Sequence, residues 1–324
     1  FRAEGEWRAV EGSRYFQSPV LYKENGFKKK EDAQKLICEL STQQPLICTV
    51  EKIERKKENK NPPLLFNLAE LQNVCSKLFK ISPDETLSIV QDLYEKKLVT
   101  YPRTDARVLS TAVAKEIYKN ISGLRNYPQA GEAAQGALEL GAYKNIAKTR
   151  YTNDKQITDH YAIIPTGQGL GALKGLSLTA QRVYETIVRR FLSIFYPPAV
   201  YQKVSLVTKM ENESFFSSFK VLLSEGYLKI AANSFAKKSM AEASGKTPES
   251  EGEGEVSCDE ALLAALQKLK KGDILNINGL GIKEGETSPP KRYNSGSMIL
   301  AMENAGQLIE DEDLRSQIKG SGIG

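Results

Sequence analysis

Histidine and cysteine are scarce in this sequence, and their scarcity excludes several chemistries. Of 324 residues, one is His and four are Cys. Cys38, Cys48, Cys75 and Cys258 form no C-x-x-C pair, whereas a structural zinc site draws its nitrogen and sulfur ligands from close local pairs. With His160 the sole histidine, a multi-His metal centre is excluded as well, and no metal ligand is expected in the chain. Scattered cysteines read as reduced thiols of a cytoplasmic protein. No run of about 18 apolar residues occurs, so a membrane span is not expected. The first twenty residues lack the apolar core of a secretory leader. The phosphate-cradling pattern G-x-x-x-x-G-K-[ST] is missing too: before Gly245-Lys-Thr247 its first Gly is replaced by Met240. ATP is therefore not expected to drive whatever the chain does.

What is present is ordinary globular material, 40% hydrophobic and 26% charged. The length suggests two or three domains at roughly 100–200 residues each. A net charge of +5 permits a polyanionic partner without demanding one. Residues 7–10, 16–22 and 46–53 read as strands from their alternating, β-branched content, with a helix over 31–40. The run 51–60 holds five basic and three acidic residues and reads as a solvated linker or strand edge. Pro62-Pro63 marks a boundary. Leu68, Leu71, Cys75 and Leu78 then recur at helical spacing. Ser82-Pro83-Asp84-Glu85 is a helix start, with Ser82 as cap, Pro83 at the first position and Glu85 closing a capping box. Leu87, Val90, Leu93 and Tyr94 form the apolar face of that helix, which ends near Lys96-Lys97. Residues 98–101 follow as a short strand stopped by Pro102. Helix, turn, helix and strand together are compatible with a helix-turn-helix or winged-helix unit.

Helical patterning continues to Pro198 and includes residues 179–196. Between 62 and 198 there are 17 Lys/Arg and 12 Asp/Glu, so this block carries the whole positive excess, as a phosphate-facing domain would. Residues 200–232 return to alternation. Residues 241–257 read as a Gly/Ser/Glu-rich flexible loop, 259–270 as a helix, 272–277 as a strand, and 297–305 as a last helical segment beyond Pro289-Pro290. Gly167-Gln-Gly-Leu-Gly171 lacks the β-α context of a dinucleotide loop and reads as a flexible connector. Tyr143 and Tyr151, among Lys144, Lys148 and Arg150, have the parts to stack bases, but an ordinary solvated helix face is the preferred reading.

The chemically informative stretch is Leu93-Tyr-Glu-Lys-Lys-Leu-Val-Thr-Tyr101-Pro-Arg-Thr-Asp-Ala106. A tyrosine hydroxyl, with an ordinary pKa near 10, becomes a nucleophile only beside groups that favour the phenolate. Arg103 falls on the Tyr101 side of a strand of period two, where its guanidinium fork would hold a phosphate oxygen. Spacing alone favours a half-buried strand aromatic for Tyr101. For His160, beside Ile163 and Ile164, it favours a core histidine.

The flanking residues change that balance. The tyrosine segment closely resembles the I-T-Y-x-R-T-D-S motif of type IA DNA topoisomerases. Pro62-Pro-Leu-Leu-Phe-Asn-Leu-Ala-Glu-Leu-Gln72 is similar to the lead into that family's tyrosine domain. Asp159-His-Tyr-Ala-Ile-Ile-Pro-Thr166 resembles its D-H-x-A-I-x-P-T block, and Val183-Tyr-Glu-Thr-Ile-Val-Arg-Arg-Phe191 its closing helix. Pro289-Pro-Lys-Arg-Tyr293 with Met302-Glu303 resembles the domain that follows, and Gly322-Ile-Gly324 the opening of a G-I-G-T-P-A-T-R block. The spellings Y-P-R-T-D and A-I-I-P-T-G tilt towards the bacterial topoisomerase III branch.

The resemblance implies a multidomain α+β protein, part of the type IA core arch. A strand-rich hinge domain (1–61 and 199–288) would flank a helical, winged-helix-like domain with the tyrosine (62–198), and 289–324 would begin a further helical DNA-binding domain. It implies single-strand DNA cleavage and religation through a 5′-phosphotyrosine intermediate, with Tyr101 as nucleophile and Arg103 as phosphate clamp. His160, Thr104 and Asp105 would be DNA-binding, the last two chiefly by ordering the loop. The family's Toprim domain, with its acidic magnesium cluster, has no counterpart here. Asp311-Glu-Asp313 is a D-x-D of an acidic surface segment. An internal fragment is thus expected, inactive alone, acting as a monomer on single-stranded DNA in the bacterial cytoplasm at the nucleoid, with magnesium bound by the missing domain. Ala106 stands where the family usually has Ser, which would remove one DNA-facing hydroxyl; Tyr161 replaces a residue often His or Glu.

Overall fold

The structure, a computed structural model, describes residues 2–8, 15–20, 27, 29–42, 44–235, 256–257, 260–283, 289–290 and 292–308. The readings made on residues 241–255, Cys258, 311–313 and 320–324 lie outside the described residues. The strands are β1 (Arg2–Arg8), β2 (Tyr15–Val20), β3 (Ile47–Lys60), β4 (Ala199–Met210), β5 (Glu213–Ser224), β6 (Val256–Ser257) and β7 (Ile274–Lys283). The helices are α1 (Lys30–Ser41), α2 (Leu68–Phe79), α3 (Pro83–Glu95), α4 (Thr111–Glu116), α5 (Tyr118–Gly123), α6 (Gly131–Leu140), α7 (Leu178–Ser193), α8 (Leu228–Ala231), α9 (Glu260–Lys268) and α10 (Ser295–Glu303).

The chain divides into two compact units. One comprises Phe1–Lys60, Ala199–Glu225 and Lys237–Pro289; the other comprises Asn61–Pro198, Gly226–Ala236 and Pro290–Gly324. The first is built on a single sheet in the order β2-β1-β7-β3-β4-β5-β6. Its neighbours are antiparallel except β5 and β6, which are parallel. Strand alternation explains its core: Val204, Leu206 and Met210 of β4 face inward with Val50 of β3, Phe215 and Phe219 of β5, and Leu40 of α1. The charged run after Glu51 continues β3 rather than leaving the sheet. It pairs with β4 as far as Lys60, while β7 covers its other side only from Ile47 to Thr49. Charge guards that uncovered edge, and the Arg55 guanidinium donates to the carbonyls of Leu266 and Leu269, at 2.6 Å each, where α9 ends.

The second unit is helical, and its local starts follow from serine and asparagine caps. Ser82 Oγ accepts from Glu85 N–H at 3.1 Å, Ser110 Oγ from Val113 N–H, and Ser177 Oγ from Ala180 N–H. Leu71, Cys75, Val90 and Leu93 pack with Val183, Ile187 and Phe191 of α7 in one core. Leu78, expected on that stripe, is exposed. The strand expected over 98–101 is reduced to a single bridge between Val99 and Pro165, so the wing of a winged-helix unit is not drawn there. Two segments join this unit that the sequence pattern assigned elsewhere. Residues 226–236 leave the strand-rich region, and the stretch from Pro290 joins through α10, which packs on α2. That packing is close: a Cβ on Gly296 would lie 3.0 Å from Asn73 Cα and 2.9 Å from Ser76 Cβ, so only glycine lets the helices meet at this distance.

Candidate active site

The loop from α3 to α4 carries the tyrosine, and a second segment, 160–166, is laced to it. Thr100 N–H donates to Ile164 O at 3.0 Å, and Thr166 N–H to Leu98 O at 3.0 Å. The Thr100 hydroxyl donates to Ala162 O and accepts from Ile164 N–H, both at 3.0 Å. Further along, Ala162 N–H reaches Val108 O at 3.0 Å, and the Thr104 hydroxyl donates to His160 O at 2.7 Å. Backbone groups that would otherwise be orphaned are thus satisfied between two irregular segments. The lacing brings Tyr101 and His160 together.

The Tyr101 ring is half-buried. Its centroid lies 4.3 Å from that of His160, with the planes at 40°, and 5.5 Å from Tyr94 in an edge-on arrangement at 84°. His160 is exposed; it is not a core histidine, although Ile163 and Ile164 beside it are fully buried. Arg103 is exposed and forms no hydrogen bond or ion pair among the described residues, so its guanidinium is open to an anion. The segment 101–107 is loop rather than strand, so the strand period does not place Arg103 beside Tyr101.

Thr104 is buried, at 7% exposure. Its hydroxyl is engaged with His160 O and with Ala106 N–H at 3.1 Å. It orders the loop and offers nothing to a partner at the surface, a correction to its reading as a DNA contact. Asp105 is exposed, and its carbonyl accepts from Asn67 Nδ2 at 3.2 Å. Ala106 is only 5% exposed. Exchanging Ser for Ala there does not remove an outward-facing hydroxyl, because the position faces inward. Tyr161 packs against the helical core, and burial raises its pKa. The Gly167–Gly171 stretch is a fixed turn instead of a loose connector: Gly167 and Gly169 have φ of 78° and 70°, and a Cβ on Gly169 would meet Lys96 O at 2.5 Å. Tyr151 is a buried anchor whose hydroxyl donates to Pro62 O at 2.7 Å, not a stacking platform.

A polar cluster at the start of α2 supports the loop, and sequence reasoning passed over it. Asn67 caps α2, its Oδ1 accepting from Glu70 N–H at 2.9 Å. Leu68 N–H donates to Thr104 O at 3.1 Å. The Glu70 carboxylate pairs with Arg107 at 3.6 Å and Arg190 at 3.8 Å. Arg190 also lies over the Phe66 ring, 4.1 Å from its centroid. The Glu303 carboxylate accepts from Asn67 Nδ2, and burial raises its pKa. These acids do not suit a divalent cation: Glu70 is committed to two guanidiniums and Glu303 to an amide. Among the described residues, no group of three or more His, Cys, Asp or Glu side chains is arranged to hold a metal ion, and no helix is long and apolar enough to cross a membrane.

With this geometry in place, comparison with known proteins is informative. A family model described as DNA topoisomerase matches residues 7–324. DNA topoisomerase 3 of Bacillus licheniformis is 36% identical over 252 residues, 78% of this chain and 31% of that protein. DNA topoisomerase 3 of Bacillus subtilis is 31% identical over 306 residues, 94% of this chain and 38% of that protein. The chain thus spans about a third of the length of these relatives. Among solved structures, full-length topoisomerase I from Thermotoga maritima superposes with a TM-score of 0.58 at 20% identity, covering 98% of this chain and 45% of that one. That likeness concerns the fold.

Proposed function

The chain belongs to the DNA topoisomerase family, and from that premise we propose that it carries the nucleophile of a type IA enzyme acting on single-stranded DNA. The reading rests on one observation: a half-buried phenol held 4.3 Å, ring to ring, from an exposed imidazole by a loop whose backbone groups are bonded on both sides. In the proposed step the Tyr101 oxygen attacks a backbone phosphorus. The phenolic proton passes to an acceptor for which His160 is the neighbouring candidate. The new bond joins the tyrosine oxygen to the 5′-phosphate, and the bond to the 3′ oxygen breaks, that oxygen leaving as a hydroxyl once protonated. One phosphodiester is exchanged for another, so no ATP is consumed, and the 3′-hydroxyl reverses the reaction after strand passage. Arg103 is assigned to the phosphate oxygens, where charge builds in the transition state. Asp105 and Thr104 shape the loop. The magnesium requirement of the family is assigned to acidic ligands of a Toprim domain outside this chain, and a monomer in the bacterial cytoplasm suffices for the reaction.

The test mixes the chain with negatively supercoiled DNA and magnesium. Alone it is expected neither to relax the DNA nor to leave a covalent adduct on denaturation; either product would mean that the chemistry is complete within it. Supplying a Toprim domain in trans is expected to produce the adduct. Tyr101→Phe, which keeps both ring contacts, is expected to abolish that adduct and to change the stability by less than about 0.5 kcal/mol. An undiminished adduct from Tyr101→Phe removes Tyr101 as the nucleophile.

A further inference from the structure

Building on the reading of Tyr101 as nucleophile, we infer that Glu303 is a positioning residue, whose carboxylate holds the tyrosine loop in place through Asn67. The two residues are 236 positions apart and belong to the same helical unit. Asn67 is 1% exposed, and its whole amide is engaged. Oδ1 caps α2, one Nδ2 hydrogen goes to Asp105 O, and the other goes to Glu303 Oε1. The neighbouring Leu68 N–H takes Thr104 O, and the Thr104 hydroxyl takes His160 O. Hydrogen bonds joined through the Asn67–Leu68 and Thr104–Asp105 peptide links therefore run from the end of α10, across the start of α2, into the loop and on to His160.

Nothing in α10 itself asks for a glutamate at its last position. A carboxylate there opposes the helix dipole, and Asp105 and Glu70 add like charge, while Arg107 and the Asn67 amide offset it. Glu303 thus breaks a local preference of its helix while making one specific long-range bond, the pattern expected of a functional position. The helix that delivers it is firmly placed. Asn294 and Ser297 form a reciprocal capping box at its start, and Gly296 lets it lie against Asn73 and Ser76 of α2.

Three variants test the clasp. Glu303→Ala removes the acceptor, Glu303→Gln keeps an acceptor without the charge, and Asn67→Asp keeps the cap of α2 but loses both Nδ2 donations. The last stands in should Glu303→Ala fail to fold. In the full chain, hydrogen exchange of the Leu68 and Ala106 amides is expected to quicken about tenfold in Glu303→Ala and Asn67→Asp. The Thr100 and Ile164 amides, held by separate bonds, are expected to keep their rates. With a Toprim domain supplied in trans, single-turnover cleavage of a single-stranded oligonucleotide is expected to fall about 10- to 100-fold at unchanged Kd. Glu303→Gln is expected to restore both readouts. Unchanged exchange in both disruptive variants overturns the clasp, and faster exchange with full cleavage overturns its part in positioning. An adduct surviving in Tyr101→Phe would instead count against the nucleophile, and the exchange readout tells the two failures apart.

Discussion

Glu303 illustrates how a single side chain trades stability for position. Burial raises its pKa above the ordinary carboxylate value; the Asn67 hydrogen bond and Arg107 pull it down, and Asp105 and Glu70 push it up again. The folded chain therefore holds this proton more tightly than the unfolded one. Where the folded state binds more protons, stability falls as pH rises, here from the ordinary carboxylate range up through the raised value. Below that range the group is protonated in both states and costs nothing. Glu303→Gln cannot ionise, so it is expected to be more stable than the parent at neutral pH, with the advantage vanishing on acidification. Thermal melts of both proteins between about pH 4 and about pH 8 check this. A difference that does not change with pH would mean that Glu303 is not the titrating group. Tyr101 and His160 were legible separately, each in a short motif whose order along the chain carried the resemblance. That their ring centroids lie 4.3 Å apart was not legible, because 59 positions separate them and the backbone lacing between their segments leaves no periodic trace. Glu303 was legible only as part of Met302-Glu303; its bond to Asn67 spans 236 positions, beyond the reach of any periodicity.

Elements were legible in proportion to how local their causes are. The start of α3 was read from Ser82 and Pro83, because a cap needs only the next three residues, and Ser82 does accept from Glu85 N–H. The supposed strand at 98–101 was misread because its backbone partners are not a neighbouring strand but the irregular segment 162–166. The stretch 226–236 escaped for a similar reason. It follows β5 in sequence, yet Ser234 donates through both N–H and hydroxyl to Glu185 of α7, at 2.6 and 2.7 Å. Phe235 meets Phe79, 5.5 Å between ring centroids, and lies under Arg182 at 5.3 Å. Glu185 is 3% exposed and also pairs with Arg189 at 3.1 Å. Truncation to Ala strands two donors of Ser234 and removes the buried partner of a guanidinium, a loss of about 3 kcal/mol. Urea unfolding of Glu185→Ala is expected to show that loss, and limited proteolysis to cut within 226–236 at concentrations that leave the parent intact. A loss below about 1 kcal/mol, within the range of surface substitutions, would show that Glu185 does not secure this segment.

At the scale of the whole chain, charge is distributed as unevenly as structure. The backbone passes between its two units five times, after residues 60, 198, 225, 236 and 289, yet the positive excess stays with one stretch. Residues 62–198 hold 17 of the 45 basic and 12 of the 40 acidic residues, leaving 28 of each sign elsewhere. The net positive charge therefore falls in the segment that carries Tyr101, Arg103 and His160, where a polyanion proposed as partner would be attracted. Single-stranded DNA releases counterions with a log–log salt slope of about −0.7 for each phosphate neutralised. If the surplus of five charges sets the number of phosphates met, the slope of affinity for an oligonucleotide is expected to be about −3.5. Fluorescence anisotropy across a salt series measures it, and a slope near zero would mean that DNA is not bound through this charge. Arg103 gives the finer test, since it is exposed and unpaired among the described residues. Arg103→Ala is expected to flatten the slope by about 0.7 and, with a Toprim domain supplied in trans, to slow cleavage. An unchanged slope with slowed cleavage would confine the guanidinium to the transition state, where the charge on the phosphate oxygens is greatest, and would remove it from ground-state binding.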